Sequence, residues 1–124
     1  MYKIVSSRGG GRTTTLCEYA INNEVNIVTP SSGKYILGMV HNKLKEKEYK
    51  IIEESKTQYG FHVVWDIGDN DYKEIDIIVA MNNNDNFKGT WHNKCVVDDA
   101  DFVLNLLMRK YYNQEMIGMA MSME

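Results

Sequence analysis

The residues whose types and order could do chemistry are Ser6-Ser7-Arg8-Gly9-Gly10-Gly11-Arg12-Thr13-Thr14. Holding a phosphate takes backbone N–H groups free to wrap it, the positive end of a helix, a cation and, where a divalent metal is involved, a hydroxyl. Gly9, Gly10 and Gly11 supply the freedom, Arg12 the cation and Thr13 the hydroxyl at a first helical turn. The second cluster is Asp98-Asp99, which closes the apolar run Cys95-Val96-Val97 and is followed by Asp101. Each segment also has a plain structural use. A glycine-rich turn can join strand to helix and bind nothing, and an Asp-Asp pair after a strand can serve as a helix N-cap.

Other chemistries find less support. His41, His62 and His92 are well separated, with no Cys or His partner at metal-ligand spacing, and read as surface or packed histidines. Ser6 and Ser7 lack a G-x-S-x-G context for a nucleophile, and Cys17 falls on the apolar side of its helix, where a packed thiol is expected. Trp65, Trp91 and Phe61 read as packing residues, because base stacking calls for exposed aromatics among basic side chains and their neighbourhood is acidic.

The elements that must position the two clusters follow from periodicity. Tyr2-Lys3-Ile4-Val5 predicts a strand running into the glycine loop, and from Thr13 the helical spacing of Leu16, Cys17, Ala20 and Ile21 predicts a helix that stops at Asn22-Asn23. Val25 to Val28 predicts a second strand. Pro30-Ser31-Ser32 opens a second helix with Ile36, Leu37, Val40 and Leu44 on one face, ending in the charged run Lys45–Lys50. A short strand over Tyr49–Ile52 is followed by Phe61–Ile67 and Tyr72–Met81, two β-rich runs around a hairpin turn at Gly68-Asp69-Asn70-Asp71. Asn82-Asn83-Asn84-Asp85-Asn86 reads as an exposed loop. Cys95-Val96-Val97 reads as a brief buried strand, and Phe102, Val103, Leu106, Leu107 and Tyr111 trace a helical stripe after it. Strands alternating with helices predict an α/β fold, a largely parallel central sheet carrying one antiparallel hairpin.

With 124 residues, one domain is expected, and 44% hydrophobic with 25% charged residues exclude disorder and collagen-like structure. A formal charge of −3 gives no overall basic footprint, which disfavours coating of bulk DNA. Two distant cysteines, no charged-then-apolar leader and no long apolar run predict a reducing, cytoplasmic setting without membrane insertion.

The loop resembles a P-loop, G-x-x-x-x-G-K-[ST], with Ser6 at the first glycine and Arg12 at the lysine. Cys95-Val96-Val97-Asp98-Asp99 resembles the Walker B strand and acidic pair of P-loop NTPases of the ASCE type. Hairpin, then Asn86-Phe87-Lys88-Gly89-Thr90, then the acidic strand is similar to the order in phage terminase large-subunit and helicase-like ATPases. Thr29-Pro30-Ser31 after the second strand is also of that kind. The resemblance implies a single reduced P-loop domain over residues 1–124 that binds a nucleoside triphosphate, ATP with magnesium, with weak or no hydrolysis. Ser7, Arg8, Gly9, Gly10, Gly11, Arg12, Thr13 and Thr14 would hold the nucleotide, Thr13 and Asp98 the magnesium, and Asp99 would position water. Asp99 is one methylene shorter than the usual glutamate, hence the weak turnover. The chain starts at the loop's strand and stops one or two helices after the acidic strand, which fits a reduced form. Nucleic acid follows as a partner from the resemblance alone, and the host cytoplasm as the location if the chain is viral.

A different class of reading is a non-catalytic viral interaction module on the same fold. Four of the eight methionines lie in Glu115–Met123, and a helix there would put Met116, Met119, Ala120 and Met123 on one face. Such a face either closes over the chain's own sheet or receives a second copy or a protein partner.

Overall fold

The computed structural model describes residues 11–30, 33–81 and 92–121. The expected strand over 2–5, most of the glycine loop, the Asn-rich loop, the Lys88-Gly89 step and Trp91 lie outside the described residues. Helix α1 (Arg12–Asn23) starts where Gly11 takes a left-handed conformation, φ 74°, open to glycine without a Cβ penalty. The Thr15 N–H and hydroxyl both donate to the Gly11 carbonyl, each at 3.0 Å. Leu16, Cys17, Ala20 and Ile21 form its buried stripe, and the helix ends as Glu24 turns left-handed at φ 51°. Strand β1 (Asn26–Thr29) follows, then helix α2 (Gly33–Glu46), which buries Ile36, Val40 and Leu44.

Strands β2 (Lys50–Lys56), β3 (Gly60–Asp66) and β4 (Tyr72–Val79) run antiparallel in turn, and β1 pairs in parallel with both β4 and β5 (Cys95–Val97). The sheet order among the described residues is β2-β3-β4-β1-β5. The α/β expectation holds in this form, but the sheet is mixed, not largely parallel. The extra antiparallel strand is β2, whose Glu53-Glu54-Ser55-Lys56 half is polar on both faces because it occupies an edge. Gly60 lets β3 approach β4 closely: a Cβ there would stand 1.8 Å from the Ile77 carbonyl oxygen. The β3–β4 turn is as expected, with Asp69 and Asn70 both left-handed (φ 54° and 59°), as a type I′ hairpin requires.

One face of the sheet carries Ile27, Val63, Trp65, Ile75 and Ile77. Cys17, Ala20 and Ile21 of α1 and Ile36, Val40 and Leu44 of α2 close on it as the core. On the other face, Asp76 accepts from His62 (3.0 Å), its N–H donates to the Asn26 side-chain oxygen (2.9 Å), and the Asn26 amide donates to the His92 carbonyl (3.0 Å).

Three expectations need correction. Strand β5 is not buried: Cys95 and Val97 are exposed and Val96 only half-buried. Helix α3 (Ala100–Tyr112) has the expected period, yet of its stripe Val103 alone is buried, while Phe102, Leu107 and Tyr111 are exposed. Residues 113–121 are not helical. The helix stops because Asn113 turns left-handed at φ 51°, its N–H donating to Arg109 and that of Gln114 to Met108, the usual closure of a helix C-terminus. The tail instead folds back along α3, the Met116 N–H donating to Asn105 Oδ1 at 3.1 Å, over a cleft of about 270 Å³. No helix among the described residues is long and apolar enough to cross a membrane.

Candidate functional site

The two clusters meet at the C-terminal ends of the parallel strands. The Asp98 N–H donates to the Val28 carbonyl at 2.8 Å, which extends the β1–β5 pairing by one residue. Side chains alternate along a strand, so Asp98 emerges on the face that α1 and α2 cover. There Thr13 Oγ1 donates to Asp98 Oδ1 at 3.0 Å, joining residues 85 apart in sequence. Next to it the Arg12 guanidinium donates to Asp99 Oδ1 at 3.0 Å, each side chain about one-third exposed (32% for both).

Asp99 precedes the first residue of α3 in the left-handed region, φ 50°, and its carbonyl accepts from Val103 at 3.1 Å. Its side chain makes no capping bond to the helix. The structural use considered for the acidic pair is thus met by the Asp99 backbone, which leaves the carboxylate to Arg12. No acidic residue sits in the first turn of α1, and a helix N-terminus of that kind favours an anion through its dipole.

Burial sets the electrostatics of Asp98. The residue is 6% exposed, and desolvation above all pushes its carboxyl above the ordinary carboxylate range. The Thr13 hydroxyl opposes that shift, the Asp99 charge adds to it, and the Arg12 charge opposes it. Cys17, one turn after Thr13, is fully buried, and its thiol is pushed up to about 12, chiefly by burial and then by the Asp98 charge. A thiol so protonated is no nucleophile near neutral pH.

Of the residues expected to hold a nucleotide, Arg12, Thr13, Asp98 and Asp99 are brought together. Gly11 caps the same helix and Thr14 is half-buried in its first turn. Ser7, Arg8, Gly9 and Gly10 lie outside the described residues. One residue was missed. Thr29, the last of β1, is fully buried, and its Oγ1 has no hydrogen-bond partner among the described residues. In the sequence Thr29 stood out only within the Thr29-Pro30-Ser31 likeness, with no role of its own, since threonine is an ordinary strand residue.

The donors here are hard oxygens from a carboxylate and hydroxyls, the kind magnesium takes, usually with only one or two carboxylates and the rest of its shell from water and phosphate. A cage of three or more His, Cys, Asp or Glu side chains does not occur among the described residues. No protein-family model, curated protein or solved structure matches the chain.

Proposed function

We propose that this chain binds a nucleoside triphosphate, ATP with magnesium, at the junction of α1, β1 and β5, and that it hydrolyses ATP weakly or not at all. The observation behind the reading is the Thr13–Asp98 hydrogen bond, which sets the hydroxyl of the glycine-loop helix against a buried acid at a parallel strand end. That juxtaposition supports the P-loop resemblance more than either motif does separately. Asp98 and Thr13 would hold magnesium, directly or through water, and magnesium would supply charge neutralisation of the phosphates. Gly11 and the first turn of α1 would face phosphate, and Arg12 would contact its outer oxygens. Asp99, paired with Arg12 at 3.0 Å in the ligand-free chain, would position water, but as an acid one methylene shorter than glutamate it favours binding over turnover. The sparse, unpaired cysteines fit a cytoplasmic setting, and the resemblance adds nucleic acid as a further partner.

Calorimetric titration with ATP, with and without magnesium, tests this. Saturable heat is expected from the wild type, with tighter binding when magnesium is present. Absence of heat in both titrations overturns the reading.

A second reading, an interaction module, is favoured by the exposed apolar side chains of α3 and the tail, Phe102, Tyr111, Ile117, Met119 and Met121. It predicts an associated species in light scattering that becomes monomeric when residues 115–124 are deleted. A full-length monomer contradicts it.

A further inference from the structure

Thr29 is fully buried at the end of β1, and its hydroxyl finds no hydrogen-bond partner among the described residues. Leaving a buried hydroxyl unpaired costs free energy, and native proteins rarely keep one without a use. Valine would fill the same volume without that cost. The register says what lies beside it. Thr29 pairs with Val79 on the β4 side, while on the β5 side Val28 pairs with Val97, so the next residue there is Asp98. Thr29 and Asp98 both project to the helix-covered face, one apolar neighbour on one flank and the buried carboxylate on the other.

We propose that Thr29 is a positioning residue for the magnesium of the bound nucleotide, its hydroxyl holding a water of the metal's shell beside Asp98. The inference rests on the nucleotide-site reading and adds a residue that neither glycine loop nor acidic pair contains. A hydroxyl can donate to one oxygen and accept from another, so it can bridge a metal-bound water to the Asp98 side of the site. Arg12 and the first turn of α1 serve the phosphates. Thr29, next to the metal's acid, serves the metal.

That division is measurable. ATP would be titrated calorimetrically into wild type, Thr29→Val, Thr29→Ser and Arg12→Ala, once with magnesium and once with the metal chelated, and each ligand-free protein would be melted. In Thr29→Val, affinity for ATP with magnesium should fall about tenfold, as loss of a charge-assisted hydrogen bond implies. Metal-free ATP should bind it as tightly as it binds wild type, and the ligand-free protein should melt higher, by about 4 °C. Thr29→Ser should keep wild-type magnesium dependence. Arg12→Ala should weaken both titrations. Unchanged affinity for ATP with magnesium in Thr29→Val, or an equal loss with and without the metal, overturns the assignment. If Arg12→Ala still weakens binding in that case, the nucleotide site stands without Thr29. Wild type that binds neither form overturns both.

Discussion

Two buried polar assemblies stand on opposite faces of the same sheet, and they are built to different rules. On the face away from α1 and α2, His62, Asp76, Asn26 and the His92 carbonyl form a run of hydrogen bonds between 2.9 and 3.0 Å, with the Asn26 side chain acting as acceptor and donor at once. At the strand ends on the covered face, Asp98 is desolvated, its carboxyl raised above the usual range, and the Thr29 hydroxyl next along the register finds no partner among the described residues. The first assembly ties β1, β3, β4 and the segment before β5 together. The second holds a free-energy cost that a cation would relieve. Satisfied networks rigidify a fold, whereas a buried polar group without a partner calls for an explanation, a bound ion or water among them.

The sharpest way to break this contrast is to damage the first assembly. Asn26→Ala strands the buried Asp76 N–H and the His92 carbonyl, and should cost about 2–4 kcal/mol in urea denaturation, with nucleotide affinity unaltered wherever the variant is folded. A smaller loss than for any change at Arg12 or Asp98 would reverse the assignment of roles. Arg12→Ala comes next. It should weaken ATP binding by about 1.5–3 kcal/mol in calorimetry, yet alter folding stability by less than about 1 kcal/mol, because the Arg12–Asp99 pair is partly solvated.

Asp98→Asn sharpens the comparison from the other direction. The folded chain holds the Asp98 proton more tightly than the unfolded chain does, so the charged carboxylate carries a folding penalty at neutral pH. That penalty shrinks as pH falls through the raised folded-state value towards the ordinary carboxylate range. Asp98→Asn should therefore stabilise the ligand-free protein at pH 7 and lose this share of the pH dependence in melts, while the magnesium increment of ATP affinity disappears. Destabilisation at pH 7 would show that the carboxylate is structural. The smallest signal is turnover: phosphate release should stay far below the roughly 10 per second of a usual enzyme, and a rate near that value would mean that Asp99 is released from Arg12 to do the work of the longer acid.

Sequence periodicity was informative where an element buries one face. Leu16, Cys17, Ala20 and Ile21 announce α1, Ile36, Val40 and Leu44 announce α2, and Gly68-Asp69-Asn70-Asp71 announces its hairpin. Strand β2 was legible only over its first residues, Tyr49–Ile52 in the sequence, because its second half lies exposed on an edge and does not alternate. The tail misled because its methionine spacing is helical, while Asn113 ends α3 before that spacing can be used. In the site, the partnership of Thr13 with Asp98 was legible, since a loop before a helix and acids after a parallel strand point to one end of a sheet. The role proposed for Thr29 was not, because it rests on a hydroxyl without a partner among the described residues, which only three dimensions show.

Whether the junction of α1, β1 and β5 is a nucleotide site is decided by thermal melting in the presence of ATP and magnesium. At a ligand concentration 100 times the dissociation constant, the folded state gains ~2.7 kcal/mol, a rise in midpoint on the order of 10 °C. That rise is expected for wild type, a smaller one without magnesium, and little at the same ligand concentration for Arg12→Ala. A midpoint that millimolar ATP with magnesium leaves in place, or raises equally in Arg12→Ala, would contradict a nucleotide site there.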